Sequence, residues 1–240
     1  MTNNVLVRSI RSSLHSAADA TRGLGAQAYM KSDMPSLGVR VPEVRKIVKA
    51  AAKQFPVKSP DDLRSAVLEL WRHAEAREER YAAIDLTGLR MVKEDLRMLP
   101  IYEEIIRTGA WWDLVDGVTH RICGLLLAHR STMTPVLLQW SKDDDMWVRR
   151  AAITAQLGAK SQTDAGLLAE VISPNLSDNE FFIRKAIGWA LREYSKTDPA
   201  WVRAFASSNA GALSPLSTRE ALRLLPSSST ENHEGPDKTP

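Results

Sequence analysis

Apolar positions recur at helical spacing along nearly the whole chain between residues 5 and 225. Val44, Ile47 and Val48 share one helical face, as do Leu63, Val67 and Leu70, and then Leu96, Leu99, Ile105 and Ile106. No stretch alternates apolar and polar residues as a half-buried strand does. Turn chemistry interrupts the pattern at Gly38 with Pro42, at 55–60, at Gly109, at 142–145, at 173–178 and at 211–215, and so divides the chain into helix pairs.

A longer period lies over the helical one. Arg45, Arg80, Arg149, Arg184 and Arg219 occupy equivalent places in segments such as Val44-Arg45-Lys46-Ile47 and Val148-Arg149-Arg150-Ala151. A third segment, Val115-Asp116-Gly117-Val118, carries Asp116 instead. Aligned on that position, the segments are spaced by 35, 36, 33, 35 and 35 residues. One helix pair cannot bury its apolar stripe alone, so pairs repeating at this period predict an all-α fold, an α-solenoid of about six HEAT-like repeats over residues 1–225. Equivalent helices then line a concave basic surface. The arginine row either faces a ligand there or ties adjacent units together by ion pairs, and Asp116 interrupts it.

Composition alters the picture in three places. Residues 226–240 hold Ser, Thr, Asn, Gly, Pro and charges with nothing apolar to bury, and are expected to form a disordered tail. The formal net charge is +3; the tail's three acids against one lysine give −2, which leaves +5 on residues 1–225, a modest bias toward an anionic partner. The single cysteine, Cys123, sits in the apolar run 122–128 and reads as a small buried hydrophobe, which fits a reducing, cytoplasmic setting. No run approaches the roughly 20 apolar residues that a membrane helix needs. The five histidines show no ligand spacing, and Asp143-Asp144-Asp145 reads as a helix N-cap cluster. Phosphate-binding glycine loops and nucleophile elbows are absent from the sequence, so no metal or cofactor is expected.

Two segments stand apart chemically. In Gly109-Ala110-Trp111-Trp112-Asp113-Leu114-Val115-Asp116, a helix places Trp111, Val115, Val118 and Ile122 on the core stripe. Trp112 and Asp116, four residues apart, share a flank, and Asp113 falls where a capping or dipole role is expected. In the fifth unit Ile183, Ile187, Leu191 and Tyr194 form the buried stripe, while Trp189 lies with Lys185, Arg192 and Lys196 on the opposite face. An indole in a column of cations suits a nucleic-acid strand, with the cations on phosphates and the ring against sugar or base.

These segments, with Phe181 to Tyr194, Pro215 to Ala221 and the N-terminal Tyr29-Met30-Lys31, resemble the AlkD family of alkylpurine DNA glycosylases in order from about residue 25 to 225. The resemblance implies a HEAT-like solenoid that hydrolyses the N-glycosidic bond of cationic N3- and N7-alkylated purines in double-stranded DNA, as a monomer and without cofactor. Its catalytic acid corresponds to Asp116 and its cleft tryptophans to Trp112 and Trp189. Arg150 and Tyr29 match DNA-contacting positions, to which the residue pattern adds Arg149, Lys185, Arg192 and Lys196. A lyase reaction needs an amine nucleophile; Lys185 is the one near the site, and its place among the cations favours phosphate, so strand cleavage is not expected. The competing expectation is a non-catalytic HEAT-repeat module that binds DNA or scaffolds proteins.

Overall fold

The computed structural model describes residues 2–226, of which 2–4 by backbone alone; the expected tail from 227 onward lies outside the described residues. Thirteen α-helices and four short 3-10 turns make up the described residues, with no strand. The helices are α1 (Thr2–Ser16), α2 (Ala20–Met30), α3 (Val41–Gln54), α4 (Pro60–Arg72), α5 (Arg77–Leu86), α6 (Leu99–Gly109) and α7 (Trp112–Ala128), followed by α8 (Arg130–Trp140), α9 (Met146–Thr154), α10 (Ala165–Ile172), α11 (Phe181–Tyr194), α12 (Pro199–Ser208) and α13 (Pro215–Leu222). Each repeat marker, from Arg45 to Arg219, falls in the first turns of an odd-numbered helix from α3 to α13. The chain is an α-solenoid in which successive helix pairs stack on one continuous apolar core running from Leu6 to Ala221.

Local chemistry sets the helix starts. Proline occupies the first turn of α3, α4, α6, α12 and α13, where its missing N–H goes unused. Asp19, Ser59, Asp145, Asp164, Asp198 and Ser214 accept from backbone N–H groups as N-caps. Asp145 thus has the capping role expected of the acidic cluster, while Asp143 takes Arg107 at 2.7 Å. The apolar periodicity over 96–106 overstates one helix. Residues 90–92 and 96–98 are 3-10 turns, with Glu94 at φ 61°, and regular helix begins only at Leu99, beside Pro100.

The connection before α3 is organised by one buried side chain. Glu78 accepts from the backbone N–H groups of Leu37, Gly38 and Val39 at 2.9–3.2 Å and from the Ser36 hydroxyl at 2.7 Å. Gly38 takes φ 75°, and a Cβ there would lie 2.3 Å from the Asp19 carbonyl, so only glycine fits. This turn fixes α2 and the start of α3 against α5, which forms one wall of the site.

Candidate functional site

The helix α7 begins at Trp112 because Trp111 is still extended, at φ −153°, and turns its ring into the core side. That ring packs on Trp147 and Phe182 with centroids 5.9 and 5.4 Å away, while Val115, Val118 and Ile122 are fully buried. The stripe expected for Trp111 is therefore a packing stripe. Trp112 and Asp116 come out on the flank, and both line a cavity of about 340 Å³ whose walls include Met30, Val41, Tyr81 and Ile84. Asp113 and Asp85 face the same space.

Two arginines, one from the repeat before and one from the repeat after, clamp the two carboxylates of α7. Arg150 on α9 donates from Nε to Asp116 Oδ1 at 2.9 Å and from Nη2 to Oδ2 at 2.7 Å, and Nη1 donates to the Phe182 carbonyl at 2.7 Å. Arg77 on α5 donates to both oxygens of Asp113, at 3.0 and 2.5 Å, and to the Ser32 hydroxyl at 3.1 Å. The Tyr81 hydroxyl donates to Asp113 as well. Asp113 is thus held by an ion pair and does not cap α7, which carries no side-chain cap.

The electrostatics of the two carboxylates differ. Burial pushes the Asp116 carboxyl above the ordinary aspartate value, the Arg150 guanidinium pulls it back down, and the neighbouring Asp113 adds to the rise. Burial likewise raises the Tyr81 hydroxyl, so it stays a donor to Asp113. An ionised carboxylate has about four acceptor positions. The fork of Arg150 takes two of them, and the remainder face the cavity, where the Asp116 side chain is 16% exposed.

Other residues singled out in the sequence fall differently. Arg150, expected on a phosphate, is 5% exposed and lies behind Asp116. Lys185 and Arg192 both pair with Glu220 of α13, the first at 3.0 Å, and Lys196 pairs with Glu193 at 2.6 Å. That cation column is therefore largely neutralised on its own protein. Trp189 is half-buried on α11 and is not among the residues lining the Asp116 cavity. Tyr29 is 77% exposed and lines an adjacent cavity of about 210 Å³ that shares Met30, Val41 and Tyr81 with the first.

Three arginines of the row make contacts within the protein. Arg149 joins α9 to Asp178 at 2.9 Å, Arg184 donates to the Asp178 carbonyl and Asn179, and Arg80 stacks over Trp71 at 4.8 Å. Arg45 is the exception that lines the cavity, and Arg219 is exposed. Sequence reasoning missed Arg77, Tyr81 and Asp85. For Arg77 there was a signal in the spacing: Arg77 and Asp113 are 36 residues apart, Arg150 and Asp116 34, Lys185 and Glu220 35, each close to one repeat.

With this geometry in view, comparison with known proteins is specific. The model of a family described as DNA alkylation repair enzyme matches residues 10–225. The chain belongs to that family. Among solved structures, this family member is similar to a predicted DNA alkylation repair enzyme from Enterococcus faecalis, at 31% identity and a TM-score of 0.77, over 87% of this chain and 96% of that one. It also shares its fold with the Pseudomonas fluorescens alkylpurine DNA glycosylase AlkC, solved bound to DNA containing an abasic site analog. There the identity is 17% and the TM-score 0.54, over 92% of this chain and 61% of that one. No curated protein matches the chain. No helix among the described residues is long and apolar enough to cross a membrane.

Proposed function

We propose that this DNA alkylation repair enzyme is a monofunctional DNA glycosylase of the AlkD type, which hydrolyses the N-glycosidic bond of cationic N3- or N7-alkylated purines in duplex DNA. The observation that carries the reading is Asp116: a mostly buried carboxylate, oriented by a bidentate arginine, with free acceptor capacity toward a cavity walled by Trp112 and Tyr81. Membership of the repair family and the fold shared with an alkylpurine glycosylase support it.

The chemistry suits a spare site. Alkylation at N3 or N7 makes the purine a cation and a good leaving group, so its departure needs no proton. What remains is to stabilise positive charge on the sugar as the C1′–N bond breaks, and to place a water on C1′. A preorganised carboxylate does the first electrostatically and the second through its free lone pairs. Arg150 fixes the plane of that carboxylate; it also offsets part of its charge, which keeps a buried acid ionised at neutral pH. The indole of Trp112 covers the deoxyribose and excludes water, and we assign Trp189 the same part from α11. Lys185 is committed to Glu220, which removes the amine a lyase would need, so borohydride should trap no protein–DNA adduct.

The reading predicts release of 7-methylguanine from methylated duplex DNA by the wild-type protein, with no comparable release of a neutral base such as hypoxanthine from a matching duplex. Equal release of both would refute selection by lesion charge. Salt-dependent duplex binding without any base release would leave a DNA-binding repeat protein.

A further inference from the structure

The cavity beside Asp116 does not end at Asp85. Arg45, Asp85 and Arg121 also line a second, wider trench of about 560 Å³ that runs along α3 past Lys49 to Lys53. Arg45, Lys49 and Lys53 stand at steps of four on α3, so each lies about 6 Å further along the axis than the last. That step is comparable to the separation of successive phosphates on a nucleic-acid strand.

The charges in this trench are more sparsely paired than those on α11. The side chains of Lys49 and Lys53 are exposed and make no hydrogen bond or ion pair among the described residues. Arg45 reaches only Asp85, loosely, at 3.7 Å with its own side chain 67% exposed. Arg121 donates to the Gly117 carbonyl at 3.1 Å and has no carboxylate within 4 Å, and burial lowers its pKa. Asp85 is the one acid on the lining, and its Oδ2 is buried without a partner. Four cations against one carboxylate, in a channel continuous with the Asp116 cavity, suit an anion with repeating charge.

We propose that the α3 trench is the phosphodiester track for the strand that carries the lesion, with Arg45 and Arg121 at its junction with the site and Lys49 and Lys53 on the next phosphates outward. The proposal rests on the reading of the chain as a DNA enzyme. It assigns the chief backbone contacts to the N-terminal repeats and not to Lys185, Arg192 and Lys196.

The test compares the full chain carrying Lys49→Ser with Lys53→Ser against a control that removes the same charge outside the trench, Lys46→Ser with Lys58→Ser. Binding to a fluorescein-labelled duplex with a tetrahydrofuran abasic-site analogue is followed across a salt series. Each lost phosphate contact lowers the slope of log K against log[salt] by about 0.9. The trench pair should therefore flatten the slope by about two and the control pair by much less. Single-turnover 7-methylguanine release by the trench pair should fall at sub-saturating protein, as a lost binding contact requires, while the control pair stays closer to wild type. Equal effects of the two pairs, or an unchanged slope, would overturn the track. A wild type that releases base while its slope ignores Lys49 and Lys53 keeps the glycosylase reading and loses the track. A trench-dependent slope without base release does the reverse.

Discussion

Arg150 meets Asp116 through two parallel N–H···O bonds, and on the proposed reading this contact sets the part each residue plays. A guanidinium buried behind a carboxylate orients it; one on the surface would hold phosphate. The two roles separate under Arg150→Gln, which removes both the fork and the positive charge. Single-turnover excision should fall on the order of tenfold while the salt slope of duplex binding stays at the wild-type value, because no phosphate contact is lost. A slope reduced by about 0.9 would return Arg150 to the phosphates. The pH profile gives a second check. In the proposed reaction Asp116 acts as an anion, and burial raises its pKa, so the acid limb of excision should lie above the ordinary aspartate range. Arg150 holds that pKa down, so Arg150→Ala should move the limb to higher pH still. An unmoved limb would mean that some other group titrates.

At the scale of elements, the odd-numbered helices carry the site and the close packing between them holds it in register. Gly188 on α11 illustrates the tolerance: a Cβ there would sit 2.5 Å from the Glu220 Cβ and 3.1 Å from the Ser217 carbonyl. Gly188→Ala should therefore push α13 away from α11 and destabilise the protein by about 1–3 kcal/mol, read as a lowered thermal midpoint. A helix-propensity gain with no loss of stability would show that the contact relaxes freely. The helices were legible from the sequence because their apolar stripes and N-caps are local signals. The register Val115, Val118, Ile122 and the stripe Ile183, Ile187, Leu191 are all buried as their spacing implied. The partners of charged residues were not legible in the same way. Glu220 neutralises Lys185 and Arg192 from another helix, and Arg77 reaches Asp113 across a repeat, so neither pairing exists until the units stack. Glu78 gave no sequence signal at all, since its partners are backbone N–H groups of a turn about 40 residues earlier.

For the whole molecule, stacking converts a 35-residue period into a division of labour. The same helix position is used for contacts between helices by Arg80 and Arg149, for bracing the start of its own helix by Arg184, for the trench by Arg45, and for the candidate site by Asp116. A solenoid permits this because each unit contacts only its neighbours, so one repeat can exchange a structural cation for an acid without disturbing the others. On the proposed reading, this exchanged residue performs the chemistry. The most direct measurement is single-turnover release of 7-methylguanine by Asp116→Asn beside the wild type, with folding checked by circular dichroism and duplex affinity measured in parallel. Loss of a preorganised charge at the reacting centre should slow release by about 10²–10³ while binding persists. Release at the wild-type rate by a folded Asp116→Asn protein would contradict that role.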